Sequence, residues 1–376
     1  MRIADIPYLR IAASADANRS EYMNMKIKDI LRKIAALLLL CLLISLLDHI
    51  FAPKYMYENV DGRITREFYD EKTQLDVIGL GSSTMYNAMS PCQLYRDFGI
   101  TGYVRSNASQ TLWQSYYLLV DALKEKRPSL VVLDVSFIKY GEEFIEEPSN
   151  RKIIESMKDP VAKWDAIQCS MHESEEPISY YLPILRYHSR WNELTIDDFV
   201  YAYSQPDMTF AGFIMDASIP DEQTIWEPEE IEDAAFPEKA ERYLDKIIEL
   251  CQRENIPLLL MKTPTFVNSW HKEYDRLLEE KAEINGLSYV NFDDYAKDME
   301  LDVRCDYIDD GSHLNISGAE KFNKVLGKYI CDNYNIMPHE NDKELKSVWD
   351  KRLEVYEAKR GALMESYEKT KKELGL

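Results

Sequence analysis

Positive charge is in short supply: 45 Lys and Arg stand against 66 Asp and Glu, a formal net charge of −21. A nucleic-acid backbone would be repelled by such a chain, so no nucleic-acid partner is expected. Spacing suited to zinc is also lacking. The cysteines Cys41, Cys92, Cys169, Cys251, Cys305 and Cys331 lie far apart, with no C-x-x-C and no Cys/His cluster. Their scatter fits unpaired buried thiols and, in an extracytoplasmic chain, disulfides between some of them equally well. Gly79-x-Gly81 has neither the third glycine of a dinucleotide loop nor the lysine of a phosphate loop. Asp309, Asp310 and His313 have no second cluster that would complete a metal shell, so no metal and no cofactor is expected. Internal repeats and low-complexity tracts are absent. What remains is a globular composition, 45% apolar and 30% charged, over 376 residues, long enough for one large domain or two modest ones.

One apolar run stands out. Ile34 to Leu47 is 14 residues without a charge, and the stretch extends through Asp48 and His49 to Phe51. Fourteen is short of the ~17–25 residues of a membrane span, and a buried core helix is the alternative. Lys26, Lys28, Arg32 and Lys33 precede the run while Asp48, Glu58 and Asp61 follow it. That asymmetry places residues 1–33 in the cytoplasm and the bulk of the chain outside. No A-x-A cleavage pattern follows the run, and Leu40 before Cys41 is too large for a lipoprotein cleavage box. The reading is an uncleaved signal anchor over residues 34–51. Residues 1–22 read as an upstream extension, with Met23 or Met25 a more ordinary start.

Beyond the anchor, short apolar runs alternate with stretches of helical periodicity. Strands are expected at Leu75–Leu80, Gly102–Ser106, Leu130–Val135, Pro257–Met261 and Leu287–Phe292. Helices are expected after Gly81-Ser82-Ser83, over Leu112–Lys126, Pro237–Glu254, Trp270–Asn285 and Ile316–Tyr334. Such alternation implies parallel βαβ units in an α/β, doubly wound sheet spanning residues 70–336, with ligands at the carboxyl ends of the strands. Residues 140–236 break the repeat. Tyr180, Tyr181, Tyr187, Trp191, Tyr201 and Tyr203, then Glu227, Glu229, Glu230, Glu232 and Asp233, mark an insertion covering one end of the sheet, either a solvated helical excursion or a substrate lid. Residues 340–376 form an amphipathic C-terminal helix with Leu345, Val348, Trp349, Tyr356, Leu363 and Tyr367 on one face, docked on its own domain or on a partner.

Two short motifs carry chemistry. Gly81-Ser82-Ser83 stands where the first strand ends and a helix begins, beside free backbone N–H groups that stabilise an alkoxide or a neighbouring oxyanion. Asp309-Asp310-Gly311-Ser312-His313-Leu314-Asn315 precedes the last helix. Asp310 is three residues before His313, a spacing at which a carboxylate in a tight loop orients one imidazole nitrogen while the other faces the strand ends. His172, His188, His271 and His339 have no carboxylate three positions earlier; His188, flanked by Arg186, Arg190 and Trp191, is either a surface residue or a contact for an anionic or sugar substrate.

Together the two motifs resemble those of the SGNH (GDSL-like) hydrolase superfamily, whose first block is Gly-Asp-Ser and whose last is Asp-x-x-His. The resemblance runs from about Asp76 to Cys331 and implies a flavodoxin-like three-layer fold, with Ser83 as nucleophile, His313 as general base and Asp310 as its orienter. Ser82 replaces the usual Asp, as in membrane-anchored members resembling the lipoteichoic-acid D-alanylation protein and the alginate acetylation proteins. The middle blocks depart from the pattern. Asn107-Ala108-Ser109-Gln110 puts Ser109 where the oxyanion glycine is expected, and Asp134 and Ser136 stand where an Asn is expected. The oxyanion or substrate-binding residues implied are then Ser109 through its N–H, Gln110 as a substitute donor, and Asn107.

The expected function is a membrane-anchored, extracytoplasmic serine acyltransferase or esterase. Its partner would be a cell-envelope polysaccharide or teichoic acid carrying O-acetyl or similar groups, with a membrane-bound O-acyltransferase alongside. The alternatives are an extracellular carbohydrate esterase or lipase on the same residues, and a noncatalytic scaffold of this fold that holds a polymer or an enzyme.

Overall fold

In the computed structural model the described residues are 7–52, 60–144, 146–201, 209–220, 235–267, 270–337, 339 and 342–376. Five strands are formed among them: β1 (Val77–Gly81), β2 (Gly102–Ser106), β3 (Leu130–Asp134), β4 (Leu258–Lys262) and β5 (Ser288–Asn291). The α-helices are α1 (Pro7–Phe51), α2 (Val60–Glu67), α3 (Ser83–Ala88), α4 (Pro91–Phe98), α5 (Leu112–Glu125), α6 (Glu147–Ile154), α7 (Pro160–Ser170), α8 (Ile184–Tyr187), α9 (Ile196–Tyr201), α10 (Glu238–Glu254), α11 (Lys272–Asn285), α12 (Ile316–Asn333) and α13 (Lys343–Glu373). The chain divides into two compact units, residues 1–52 with 182–205, and residues 53–181 with 206–376.

The larger unit is built on the sheet. All its ladders are parallel and the strand order is β2-β1-β3-β4-β5, with Gly79 beside both Val104 and Val132. This is the order of flavodoxin-like doubly wound sheets. Every residue of β1 to β4 is buried, which is why β1, β3 and β4 read as apolar runs up to the polar residue that ends β3 and β4, rather than as alternating ones, while β2 buries Arg105 and Ser106 as well. The direction of travel reverses at β1, so right-handed crossovers send α3 and α4 to one face and α5, α10 and α11 to the other. Contacts agree: α12 packs on α3 and α4, while α5 packs on α7 and α10. The reversal leaves a crevice at the carboxyl ends of β1 and β3, the position at which such sheets bind ligands.

The described part of the insertion is largely helical up to residue 201 and non-helical over residues 209–220. In the larger unit α6 packs on α2 and α7, and α7 on α5. Residues 209–218 run along the β2 edge: Val104 N–H donates to the Ala211 carbonyl at 2.9 Å, Ile214 N–H to that of Tyr86 at 3.0 Å, and Ile316 N–H to that of Asp216 at 2.7 Å. A Cβ on Gly212, at φ +87°, would stand 2.0 Å from the Val104 carbonyl oxygen, so only glycine lets the chain lie this close to the edge. Tyr203 and the acidic group Glu227, Glu229, Glu230, Glu232 and Asp233 lie outside the described residues.

The C-terminal helix docks on its own domain. Leu345, Trp349, Tyr356 and Tyr367 of α13 are buried, whereas Val348, expected on the same face, is 40% exposed. The buried positions are 4, 7 and 11 residues apart, a straight-helix stripe that leaves 348 off the contact line. Trp349 is fully buried against Tyr95, its Nε1 donating to Thr73 Oγ1 at 3.0 Å. Arg352 pairs with Glu71 at 2.5 Å and Arg96 with Glu357 at 2.7 Å. Removing the indole leaves a cavity in the core, so Trp349→Ala should destabilise the domain by about 3–5 kcal/mol. The measurement is a denaturant melt, and a loss under about 1 kcal/mol would mean α13 is not part of the core.

The smaller unit consists of α1 with residues 182–205. Within α1 the 30-residue stretch Tyr22–Phe51 is long and apolar enough to cross a membrane, and only 6% of its most apolar window is buried. The helix extends the 14-residue run in both directions, which removes the shortfall in length seen in the sequence. All six cysteines are free thiols, of which Cys92, Cys251 and Cys305 are buried.

Candidate active site

Ser83 and His313 meet. They are 230 residues apart in sequence, and Ser83 Oγ lies 2.7 Å from His313 Nε2. Ser83 is the first residue of α3, directly beyond the end of β1. The strand end is crowded: a Cβ on Gly81 would come 2.8 Å from Asp134 Cβ and 2.9 Å from Met85 Cβ. Glycine at 81 therefore lets α3 turn sharply enough off the strand to hold Ser83 over the crevice.

His313 is delivered by a small hairpin. Tyr307 and Leu314 pair antiparallel, Ile308 N–H donates to the His313 carbonyl at 2.9 Å, and Asn315 caps α12 by accepting from the N–H groups of Ser317 and Gly318. The hairpin tip turns at Gly311, φ +96°, where a Cβ would clash with Phe266 at 2.8 Å. Inside this turn Asp309 Oδ1 accepts from Ser312 N–H at 2.8 Å and His313 N–H at 3.0 Å, and its Oδ2 faces His313 Nδ1 at 2.5 Å.

The orienting carboxylate is therefore Asp309, not Asp310. The three-residue spacing favoured Asp310, but the chain folds back through the positive φ of Gly311. That fold brings together residues four apart, because the Asp309 side chain closes the turn by binding the two amides. Burial by itself would raise the Asp309 carboxyl. The hydrogen bond and charge of His313 and the two amides outweigh it and hold the group below the usual carboxylate range. An ionised Asp309 keeps the proton of a neutral imidazole on Nδ1 and leaves Nε2 free to accept from Ser83.

The cleft in front of this relay is about 440 Å³. It is lined by Ser83, Thr84, Ser109 and His313, by Ser136 and Ser312, by the aromatic rings of Phe137, Tyr140 and Trp270, and by Lys139 and Lys262. Tyr140 is the one residue of the expected lid among the described lining residues.

Ser109 is held at φ +56°, the left-handed conformation that glycine adopts without strain. Among the described residues neither the Ser83 nor the Ser109 N–H meets an acceptor, so both are available to an oxyanion. Gln110 and Asn107 do not line the cleft. Gln110 is 1% exposed and its Nε2 donates to the Arg105 carbonyl at 3.2 Å and Ser115 Oγ at 3.0 Å. Asn107 Nδ2 donates to Thr65 Oγ1 at 3.2 Å and Gln110 Oε1 at 3.4 Å. Both amides brace the loop from beneath.

Asp134 was legible only as a departure from the resembled pattern, and its role is structural. The buried carboxylate at the end of β3 accepts from Thr84 Oγ1 at 2.5 Å, Thr263 Oγ1 at 3.1 Å and Ser136 Oγ at 2.6 Å, joining the ends of β1, β3 and β4 under the nucleophile. Lys262 and Asp293 were not anticipated. Lys262 Nζ, 2.5 Å from Asp293 Oδ2 and 3.0 Å from Thr265 Oγ1, forms part of the cleft floor. The signal for Lys262 and Thr263 was their place at the carboxyl end of β4, where polar groups in a buried sheet have few other reasons to occur.

A second His–carboxylate pair is present, His339 Nε2 at 2.8 Å from Asp76 Oδ2. Asp76 precedes β1, at the end of the strand opposite Ser83, and also binds Thr101 N–H and Oγ1. This pair ties α13's approach to the sheet and faces no serine of the cleft. Among the described residues no group of three or more His, Cys, Asp or Glu side chains converges as a metal site. No family model matches the sequence, and no curated protein matches it.

Proposed function

We propose that the protein is a serine acyltransferase or esterase related to the SGNH hydrolases, held on the outer face of a membrane by α1. The observation that carries this reading is the continuous relay from Ser83 Oγ through His313 to Asp309 at the carboxyl edge of β1. A serine attacks an ester carbonyl as His313 Nε2 takes its proton; the Ser83 and Ser109 N–H groups stabilise the tetrahedral oxyanion. His313 then returns the proton to the departing alkoxide, leaving an acyl-serine and an alcohol. Water or a sugar hydroxyl, deprotonated by the same imidazole, attacks that acyl-enzyme and frees Ser83.

The lining of the cleft favours a carbohydrate-borne acyl group. Phe137, Tyr140 and Trp270 offer flat apolar faces to a sugar ring, while Ser136 and Ser312 offer hydroxyls. A cell-envelope polysaccharide or teichoic acid is the corresponding polymer, and the basic Lys26, Lys28, Arg32 and Lys33 ahead of the apolar stretch of α1, against Asp48, Glu58 and Asp61 behind it, favour the sheet domain lying on the outer side.

The test is active-site labelling of the full-length protein in detergent. A fluorophosphonate should modify Ser83, located by peptide mass, and no labelling of a protein with an intact thermal transition would overturn the enzyme reading in favour of a scaffold. Presenting an acetyl ester with and without an oligosaccharide then separates the two enzyme classes: free acetate in water alone marks an esterase, and acetylated sugar marks a transferase.

A further inference from the structure

The segment after α7 presents apolar side chains to solvent in a way that the enzyme reading does not use. Leu185, Trp191, Ile196, Phe199 and Val200 are all exposed, Trp191 at 72% and Ile196 at 74%. Single exposed apolar residues are ordinary on a soluble surface, but a group of them marks an interaction face. The segment belongs to the same compact unit as α1 and is tied to the last turn of that helix. Ile184 N–H donates to Asp48 Oδ1 at 2.7 Å, and Arg190 Nη1 to the Phe51 carbonyl at 2.6 Å. Arg190 also pairs with the buried Asp198 at 3.4 Å, and Asp198 accepts from Thr195 N–H at 2.7 Å, so the loop between α8 and α9 is internally fixed.

What covers the face follows from what it adjoins. The exposed side chains of α1 include Leu38, Leu39 and Leu42, the last 67% exposed. Leu42 is six residues, about 9 Å along the axis, from the Asp48 anchor point. Exposed apolar side chains of the helix thus lie within about two turns of the point where the segment is attached. Arg186 and His188, both exposed, interleave with the apolar residues, and a mixture of Trp, Arg and aliphatic groups at the end of a span is the composition of the headgroup boundary.

We propose that residues 182–200 form a collar that lies in the lipid headgroup–acyl boundary around the end of α1, with Trp191, Ile196 and Phe199 inserted among the lipids. The proposal rests on α1 being a membrane span. Its role is to fix the rotation and height of the anchor, since a lone helix passing through a bilayer leaves both free.

The experiment uses the full-length protein in phosphatidylcholine liposomes, prepared in parallel with lipid brominated near the headgroup end of its acyl chains. Tryptophan emission of the wild type should be quenched by the brominated lipid, and Trp191→Phe should lose that quenched component while keeping the emission of the other five tryptophans. Ile196→Ser with Phe199→Ser, which retains Trp191, should reduce the quenching and shift the emission to the red. Equal quenching in wild type and Trp191→Phe, in protein that alkaline carbonate fails to strip from the liposomes, overturns the collar and leaves the anchor standing; the face then meets protein or water. Release by carbonate overturns both.

Discussion

Ser83→Ala and His313→Ala should each lower the turnover of a small acetyl ester by about 10⁴- to 10⁶-fold, and the double variant should be no worse than either alone. The two side chains act as one unit, since a serine hydroxyl without its base and an imidazole without its nucleophile are equally ineffective. Neither is part of the packed core: Ser83 and His313 both stand partly exposed at the edge of the cleft. The melting temperature of Ser83→Ala should therefore be unchanged, which separates loss of chemistry from loss of fold, while His313→Ala also loses the contact with Asp309. Residual rates above the uncatalysed reaction are expected from the Ser83 and Ser109 amides, which survive both substitutions. Additive losses, or full activity in Ser83→Ala, would show that turnover uses other groups.

Asp309→Asn should reduce the rate by about 10⁴-fold, whereas Asp310→Asn should change it little. Asparagine at 309 retains a carbonyl oxygen for the Ser312 and His313 amides, so the turn persists. Its neutral side chain no longer stabilises the imidazolium or holds the productive tautomer. The pH dependence of stability gives a second readout. Because the Asp309 carboxyl lies lower in the folded protein than in the unfolded chain, its ionised form stabilises the fold at pH values above about 3.9, the ordinary aspartate value. That contribution is lost as the pH falls through the lowered folded value. A urea melt series should show Asp309→Asn with a shallower acid decline than the wild type. A larger activity loss in Asp310→Asn than in Asp309→Asn would return the orienting role to position 310.

The choice between these neighbours shows where local spacing stops being informative. An interval of three residues is decisive on a helix, where it puts two side chains on one face. The stretch from 306 to 315 is a hairpin, and its geometry is set by the left-handed Gly311 and by Phe266, whose N–H donates to the Gly311 carbonyl at 2.8 Å. Phe266 comes from the loop after β4, more than forty residues earlier, so no reading of the motif by itself could weigh it. Gln110 failed for the opposite reason. It stands beside Ser109 in sequence, but its side chain turns inward to bond the Arg105 carbonyl of β2 and Ser115 Oγ.

Strands β1, β3 and β4 were legible in the sequence, apart from end positions, because a parallel strand buried on both faces is largely apolar; β2, with Arg105 and Ser106, and the half-buried β5 follow that rule less closely. The amphipathic helices and the N-terminal apolar helix were legible because burial or exposure of a helix writes a period of 3.6 or none. Those are properties of each segment against its surroundings, and the chain states them locally. Tertiary structure alone decided which carboxylate serves His313, which amides line the cleft, and that residues 182–200 attach to the end of α1. Each depends on a few hydrogen bonds between groups distant in sequence, and directional interactions of that kind leave no periodic trace along the chain.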